Sequence, residues 1–209
     1  RSILNNGLTS IEKTRNELLS HDSKLSIEFN KLYELIYSEV INNKSGLYSN
    51  RVIFTGVGKN ANLATKASET FASLGIPSMY LNSCHYSHGD SGFIGPNDIV
   101  IHVSKSGKTQ EMVYAASHLR KIRPKVIQIL LCCDETKNET FDYIFSIGKI
   151  EEADDHGLAP TSSSTVLLAL LDTIGVILSS MVGFKPEHFY AFHPGGSLGK
   201  KLERELCQN

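Results

Sequence analysis

The chain has 209 residues, 41% of them hydrophobic, and its 21 Lys and Arg residues nearly balance 22 Asp and Glu residues. This length is typical of one domain, since chains usually split into separate cores only beyond about 250 residues. The formal charge of −1 gives no basic excess for nucleic acid or an anionic membrane surface, and we exclude both as partners. The hydrophobic content suffices for a sizeable core, which excludes general disorder.

Cysteine usage and the longest apolar run bear on where the protein is located. The four cysteines are Cys84, Cys132, Cys133 and Cys207. They form no CxxC pair, so we predict neither a disulfide framework nor a zinc knuckle and expect a cytoplasmic protein in a reducing compartment. The apolar run 166–178 is interrupted by Asp172. It is too short for the roughly 30 Å of a bilayer core, so no membrane span is predicted.

The N-terminal region carries one helical pattern. Apolar residues recur there at helical spacing: Leu25, Phe29, Leu32, Ile36 and Val40. The spacing predicts an amphipathic helix over residues 23–43, within an N-terminal helical extension of residues 1–46. The main domain, residues 47–209, has helices of its own. We therefore expect another subunit to cover the stripe of apolar residues on this N-terminal helix. This predicts a homo-oligomer, either a tetramer or a dimer.

The main domain alternates short β-rich runs with helical segments. The runs cover residues 52–57, 78–81, 99–104, 126–132 and 143–147. Two helical stripes lie between them, one of Leu63, Ala67, Phe71 and Leu74 and one of Met112, Ala116 and Leu119. A long helix over about residues 163–182 follows. The alternation predicts an α/β fold in which helices cover both faces of a five-stranded parallel sheet.

Ligands of such sheets bind beyond the carboxyl ends of the strands, so the loops there are the first candidates. After the first strand, residues 56–61 read Gly-Val-Gly-Lys-Asn-Ala, a loose match to the dinucleotide fingerprint. The second strand, however, ends without the acidic residue that would bind ribose hydroxyls, which disfavours a dinucleotide. A tight turn would explain Gly56 and Gly58 but not Lys59.

The third strand ends in residues 104–109, Ser-Lys-Ser-Gly-Lys-Thr, which resembles part of a nucleotide-binding P-loop. That loop needs its first glycine at position 102, where this chain has His102. The hydroxyls of Ser104, Ser106 and Thr109 instead suit a single phosphate. Capping of the next helix by Ser106 or Thr109 is also expected, but it needs only one hydroxyl.

A second hydroxyl-rich helix start follows at residues 157–165, Gly-Leu-Ala-Pro-Thr-Ser-Ser-Ser-Thr. Its serines are Ser162, Ser163 and Ser164. Two such starts in one sheet protein favour a monophosphate ligand, and we predict that these serines contribute to its site.

Two further strings are His88-Gly89-Asp90 and residues 192–199, Phe-His-Pro-Gly-Gly-Ser-Leu-Gly. With the three loops, they make the chain resemble the sugar isomerase (SIS) superfamily from about residue 51 to residue 204. More narrowly, the chain resembles arabinose 5-phosphate isomerases, here of a type without the CBS modules. The Gly-Leu-Ala-Pro-Thr-Ser-Ser and His-Pro-Gly-Gly-x-Leu-Gly strings are the specific part of the match.

The resemblance implies a three-layer αβα sandwich, assembled into tetramers or dimers whose active sites share residues between subunits. It implies interconversion of D-ribulose 5-phosphate and D-arabinose 5-phosphate for the sugar Kdo of lipopolysaccharide or capsule, without an organic cofactor. Two alternatives stay open. One is another phosphosugar isomerase, acting on a hexulose or sedoheptulose phosphate, and the other is a non-catalytic regulator that binds a sugar phosphate.

Two departures from the family pattern concern the loops. The usual Ser-Asn-Ser-Gly-Glu is Ser-Lys-Ser-Gly-Lys at residues 104–108, and Lys-Ser-Gly-His is Lys-Asn-Ala-Asn at residues 59–62. Lys105 and Lys108 make the mouth of the site more cationic. We expect them to contact a larger anion, and feedback inhibition by the cytidine monophosphate conjugate of Kdo (CMP-Kdo) is the hypothesis.

Moving a carbonyl between two carbons of a sugar requires a base, a proton donor and stabilisation of an enediolate. The family match supplies the candidates Lys59, His88, Glu111, Glu152 and His193. We interpret Glu152 as the base, with a pKa raised by partial burial, and His193 as a proton shuttle. The alternative for Glu152 is membership of a solvated acidic run. The individual roles of Lys59, His88 and Glu111 stay open.

Several imidazoles and a thiol also suggest a metal site. These residues are His85, His88, His156, His193 and Cys84. Their spacing is not a recognised zinc pattern, so no obligatory metal is predicted, although imidazoles around a pocket would bind inhibitory zinc adventitiously.

Overall fold

The computed structural model describes residues 9–10, 12–16, 22–41 and 50–206. At its centre is a parallel sheet of five strands in the order β2-β1-β3-β4-β5. The strands are β1 (Val52–Gly56), β2 (Ser78–Tyr80), β3 (Ile99–Ser104), β4 (Ile127–Cys132) and β5 (Tyr143–Ser146). The predicted α/β class and the five strands are confirmed, with the strand ends shifted by at most one residue.

Helices cover both faces of the sheet. They are α1 (Asp22–Ile36), α2 (Lys59–Ser73), α3 (Gln110–Ile122), α4 (Ser162–Met181), α5 (Pro186–Phe192) and α6 (Gly196–Leu206). A π-helical turn, Tyr37–Ile41, extends α1, and two 3-10 helices, Ser83–His88 and Asp90–Phe93, follow β2. Helices α5 and α6 lie where the sequence indicated only a segment punctuated by proline and glycine.

Alternation along the strands divides the core between the two faces. Phe54 and Ile101 face the layer that contains α1, α2 and α4, whereas Ile53 and Val100 face α3 and the first 3-10 helix. Successive strand side chains point to opposite faces, and each face here has its own helical cover. This gives the predicted three-layer sandwich.

The stripe of α1 is covered by the chain itself, contrary to our expectation. Leu32, Ile36 and Val40 are buried at 1%, 0% and 2% exposure and belong to the core cluster with α2 and α4. The side chains of Leu25 and Phe29 lie outside the described residues. The stripe therefore gives no support to the predicted oligomer, because its apolar area is already removed from water.

Helix α4 is longer than the apolar run suggested. Its 20 residues make it long and apolar enough to cross a bilayer by length and composition alone. Val166, Leu170 and Ile174 are nevertheless buried in the core against the sheet layer. The buried side chains of α4 thus belong to the core on one face of the sheet.

Candidate active site

The strand order places a topological switch point between the carboxyl ends of β1 and β3, and we call this position the crevice. The chain passes from β1 through α2 to β2 on one side, and β3 then lies on the other side of β1. The loops after β1 and β3 leave the sheet in opposite directions at this point. Such a topological switch point is where open α/β sheets bind their ligands.

The loop after β1 depends on its two glycines. A Cβ on Gly56 would lie 2.8 Å from the main chain of Asn60, and Gly58 has φ of 61° at the start of α2. Both features demand glycine, as the tight-turn interpretation predicted. Lys59 is the first residue of α2 and is exposed, so it lies at the carboxyl end of the sheet.

The loop after β3 is an ordered hydroxyl turn. Ser104 is buried at 1% exposure, and its Oγ accepts from the Gly107 N–H at 3.1 Å and lies 3.1 Å from Thr109 Oγ1. Ser106 Oγ accepts from the Lys108 N–H at 3.2 Å. Thr109 is the N-cap residue of α3, but no side chain caps the helix. The predicted capping role is therefore wrong, and the first N–H groups of α3 are available to an anion.

Glu152 lies in the loop between β5 and α4, with its side chain 1% exposed. Its Oε1 accepts from Lys105 Nζ and Ser163 Oγ, both at 2.5 Å. Its Oε2 accepts from the Thr161 N–H at 2.9 Å, the Ser163 N–H at 3.2 Å and Thr161 Oγ1 at 3.3 Å. One carboxylate thus has five donors, one of them a cation.

These donors correct our expectation about the Glu152 pKa. Burial alone raises the pKa of this carboxyl, but the hydrogen bonds from Lys105, Ser163 and Thr161 outweigh burial and lower it. Charge-assisted donors favour the ionised form. Glu152 is therefore a permanent carboxylate near neutral pH, and its burial makes the alternative of a solvated acidic residue wrong.

The hydroxyls of the three serines at the start of α4 form hydrogen bonds with other groups of the protein. Ser162 Oγ lies 3.1 Å from Thr14 Oγ1, Ser163 bonds Glu152, and Ser164 Oγ donates to the Pro160 carbonyl at 2.6 Å. The Glu152 carboxylate occupies the anion position at this helix start. We therefore no longer place the substrate phosphate on these three serines, because a second anion there would meet the buried charge.

A neighbouring carboxylate shapes the rest of this loop. Asp154 accepts from the N–H groups of His156, Leu158 and Ala159 at 3.0 to 3.3 Å, and these bonds lower its pKa. The loop presents Leu158 at 80% exposure. We did not predict the roles of Asp154 and Thr161. The sequence signal for the role of Asp154 was its position two residues before His156 in a loop. Asp side chains commonly accept hydrogen bonds from main-chain N–H groups two residues further along a turn.

Lys105 makes contacts within the protein that we did not predict. Its carbonyl accepts from the N–H groups of Cys133 and Asp134 at 2.9 and 3.0 Å, and its Nζ bonds Glu152. Lys108 is exposed in the same turn. The CMP-Kdo hypothesis therefore keeps only Lys108 as an exposed cation of this pair.

His88 and Glu111 lie at the same edge of the sheet. His88 ends the first 3-10 helix after β2, Glu111 is in the first turn of α3, and both are exposed. Together with Lys59 and the Ser104–Thr109 turn, they belong to segments that follow the carboxyl ends of β1, β2 and β3.

His193 lies elsewhere. Its Nε2 is 3.2 Å from Ser73 Oγ, and its ring stacks on Phe189 with a centroid distance of 4.1 Å. Ser73 ends α2 whereas Lys59 begins it, and a 15-residue helix is about 20 Å long. One chain therefore does not bring His193 to the crevice.

The residues of the alternative metal-site interpretation lie on separate elements. Among the described residues, no group of three or more His, Cys, Asp or Glu side chains could hold a metal ion. His156 lies in the Asp154 loop and His193 at the far end of α2, while Cys84 and His85 belong to the first 3-10 helix.

Comparison with known proteins identifies the family. The family model for the SIS domain matches residues 48–177. The chain belongs to the SIS domain family. The predicted superfamily is thus confirmed, and the match covers all five strands.

Curated relatives of this SIS domain include arabinose 5-phosphate isomerases. The probable arabinose 5-phosphate isomerase of Haemophilus influenzae is 34% identical over 95% of this chain and 56% of its own length. Arabinose 5-phosphate isomerase KdsD of Escherichia coli O6:H1 is 36% identical over 73% of this chain and 46% of its own length. The chain therefore spans about half the length of these relatives.

Solved structures show the same fold. A protein of E. coli CFT073, solved in complex with arabinose 5-phosphate, has a TM-score of 0.76 and 32% identity, and the match covers 88% of this chain and 95% of that one. A putative phosphosugar isomerase involved in capsule formation from Bacteroides fragilis has a TM-score of 0.83 and 27% identity, covering 93% and 99% of the two chains.

Proposed function

We propose that this SIS domain is a phosphosugar isomerase that interconverts D-ribulose 5-phosphate and D-arabinose 5-phosphate. The observation that carries the proposal is the buried, ionised Glu152 bonded to the turn that offers a phosphate site. The relatives named arabinose 5-phosphate isomerase support this substrate pair, and provision of arabinose 5-phosphate for Kdo is part of the proposal.

The phosphate binds at the turn after β3. Ser106 and Thr109 supply hydroxyls, the uncapped start of α3 supplies N–H donors, and the buried Ser104 keeps the turn ordered. An anion at a helix N-terminus is stabilised by the N–H groups and the helix dipole. Fixing one end of the sugar positions its carbon chain for reaction at the other end.

Proton transfer then runs through Glu152. Its carboxylate removes the proton from the carbon that carries the hydroxyl, the electron pair forms the enediolate, and the same proton or one from water is returned to the neighbouring carbon. Lys59 stabilises the enediolate charge. The low pKa of Glu152 ensures the charged form of the base at neutral pH, at the expense of basicity.

His193 comes from a second copy of the chain. We propose this because His193 lies about 20 Å from Lys59 along α2 and bonds Ser73 at the opposite end of that helix. A homo-oligomer, a tetramer or a dimer, would bring the His193 of one subunit to the crevice of another for proton transfer among the sugar oxygens.

Incubation with D-ribulose 5-phosphate in D2O, followed by NMR, tests the proposed function. We expect D-arabinose 5-phosphate with deuterium at C2, since an enediolate exchanges its proton with solvent. Neither aldose nor deuterium would reject isomerisation. Exchange with a hexulose or sedoheptulose phosphate, but not with ribulose 5-phosphate, would reject this substrate pair and favour the alternative isomerase.

A further inference from the structure

Lys105 is the one charged donor to Glu152 among the described residues. Thr161 and the Ser163 N–H give three bonds to Oε2, whereas Oε1 accepts from Ser163 Oγ and the Lys105 ammonium. A carboxylate oxygen has about two acceptor positions. Lys105 therefore fills one position of Oε1 and adds a positive charge beside it.

The position of Lys105 connects two parts of the site. Its main chain is held by the N–H groups of Cys133 and Asp134, and it stands between Ser104 and Ser106 of the phosphate turn. Its side chain is 34% exposed, whereas that of Glu152 is 1% exposed. Lys105 is thus a charged donor that a ligand can reach from solvent.

Both residues line a cavity of about 420 Å³. The other charged groups of its wall are Lys13, Lys149, Asp134, Glu151, Asp154 and Asp155. Five acidic groups around this cavity, Glu152 included, face three lysines, and Lys105 is the lysine with a bond to Glu152. Loss of Lys105 would leave Glu152 buried among like charges, which disfavours its ionised form.

We propose that Lys105 is a positioning residue, which holds the Glu152 carboxylate ionised and oriented and couples it to occupation of the phosphate turn. The part of this inference that concerns catalysis rests on the proposed function. Without a ligand the ammonium bonds Oε1 of Glu152. A bound sugar phosphate draws the ammonium toward its own oxygens and frees one of the two acceptor positions of Oε1 to take the carbon proton, while Ser163 Oγ holds the other.

Stability as a function of pH tests the electrostatic part without any substrate. In the native chain Glu152 has a lowered pKa, so its stabilising contribution is present above the unfolded pKa and is lost as the pH falls through the folded pKa. In Lys105→Met the folded pKa rises. We expect Lys105→Met to be destabilised most near neutral pH, by about tenfold or more in the unfolding equilibrium constant, since a close opposite charge lowers a carboxyl pKa by about one unit or more. This difference from the native chain should disappear at acid pH, where the carboxyl of Glu152 is protonated in the folded and unfolded states of both proteins.

Three further variants make this test specific. Lys105→Arg keeps the cation and should retain the native profile, and Lys149→Met removes an exposed cation of the same cavity and should not move it. In a Glu152→Gln background, Lys105→Met should lose its pH-dependent effect. If Lys105→Met does not fold, Lys105→Gln replaces it. A uniform loss of stability at all pH values, or an effect that persists without Glu152, would overturn the proposal.

Kinetics test the catalytic part. The acid limb of kcat/KM should move to higher pH in Lys105→Met, and Lys105→Arg should restore it. An unmoved limb in an active Lys105→Met enzyme overturns the positioning role. If the unmodified chain shows no isomerase activity, the proposed function fails, while the stability profiles still decide whether Lys105 controls the ionisation of Glu152.

Discussion

Glu152 shows how much a residue depends on its surroundings. In the sequence it stands in an acidic run beside Glu151, Asp154 and Asp155. In the structure it is 4% exposed, whereas Glu151 is exposed. Glu152 differs from its neighbour Glu151 because it accepts hydrogen bonds from Lys105, Thr161 and Ser163.

Replacement of Glu152 by Gln should remove most of the isomerase activity. The amide keeps the size of the side chain but cannot accept a carbon proton, so turnover of ribulose 5-phosphate should fall about a hundredfold or more. Binding of inorganic phosphate, measured by calorimetry, should be largely retained. Glu151→Gln is the matched control, because it removes an adjacent exposed carboxylate. Near-normal turnover in Glu152→Gln would assign the base to another residue.

One turn and one ion pair fix the strands and helices at the two ends of the sheet. The turn between β3 and α3 requires Gly107, which has φ of 68° and whose Cβ would lie 2.8 Å from Thr136 and 2.9 Å from Leu130. At the opposite end of the sheet, Asp98 accepts from Arg51 and from the Gly95 N–H and joins the starts of β1 and β3. The turn at Gly107 shapes the candidate phosphate site, whereas the Arg51–Asp98 ion pair stabilises the sheet.

Substitution of Gly107 by Ala should affect both stability and phosphate binding. The positive φ and the close contacts should cost about 1–3 kcal/mol in the free energy of unfolding, and the displaced turn should weaken phosphate affinity. Gly92→Ala is the control, because a Cβ there meets nothing within 4 Å. Equal denaturation midpoints and phosphate affinities for the two variants would contradict this account of the turn.

Substitution of Asp98 by Asn should lower stability but leave the site intact. Asp98 is 2% exposed, so loss of its charge leaves its donors poorly satisfied, at a cost of about 2–4 kcal/mol. Phosphate binding in the folded protein should be unchanged, because Asp98 lies at the amino end of the strands. Urea denaturation and calorimetry check the two parts, and a stability equal to that of the native chain would refute the first.

Glu152 and His193 lie at different ends of one chain's fold. Because α2 lies between the crevice and His193, the proposed proton path needs two subunits. An apolar groove of about 440 Å³ beside His193, lined by Leu74, Val176 and Phe189 among others, shows that this end of the chain also has uncovered apolar surface.

Mixing of two inactive variants tests this arrangement. Glu152→Gln and His193→Ala should each have strongly reduced turnover, but subunit exchange between them should restore a fraction of the native rate, since one mixed site then carries both residues. Light scattering at micromolar concentration should give a dimer or tetramer. A monomeric mass, or an active His193→Ala variant, would remove His193 of a second subunit from the mechanism.

Local patterns in the sequence determined the secondary-structure elements and the place of the candidate site in the sheet. The β-rich runs, the helical stripes and the glycines after β1 specify structure within a few residues of the chain, so the five strands, the layers and the crevice were predictable. The hydroxyl turn after β3 was predictable for the same reason, because its donors lie within six consecutive residues.

Only the tertiary structure decided which distant groups meet. The Lys105–Glu152 pair spans 47 positions and the His193–Ser73 contact 120, and no periodicity encodes such contacts. The ionised state of Glu152, the internal commitment of Ser162–Ser164, the covered stripe of α1 and the distance of His193 all follow from packing between elements. A pKa depends on the charges and donors within a few ångströms in space, and chain folding alone places them there.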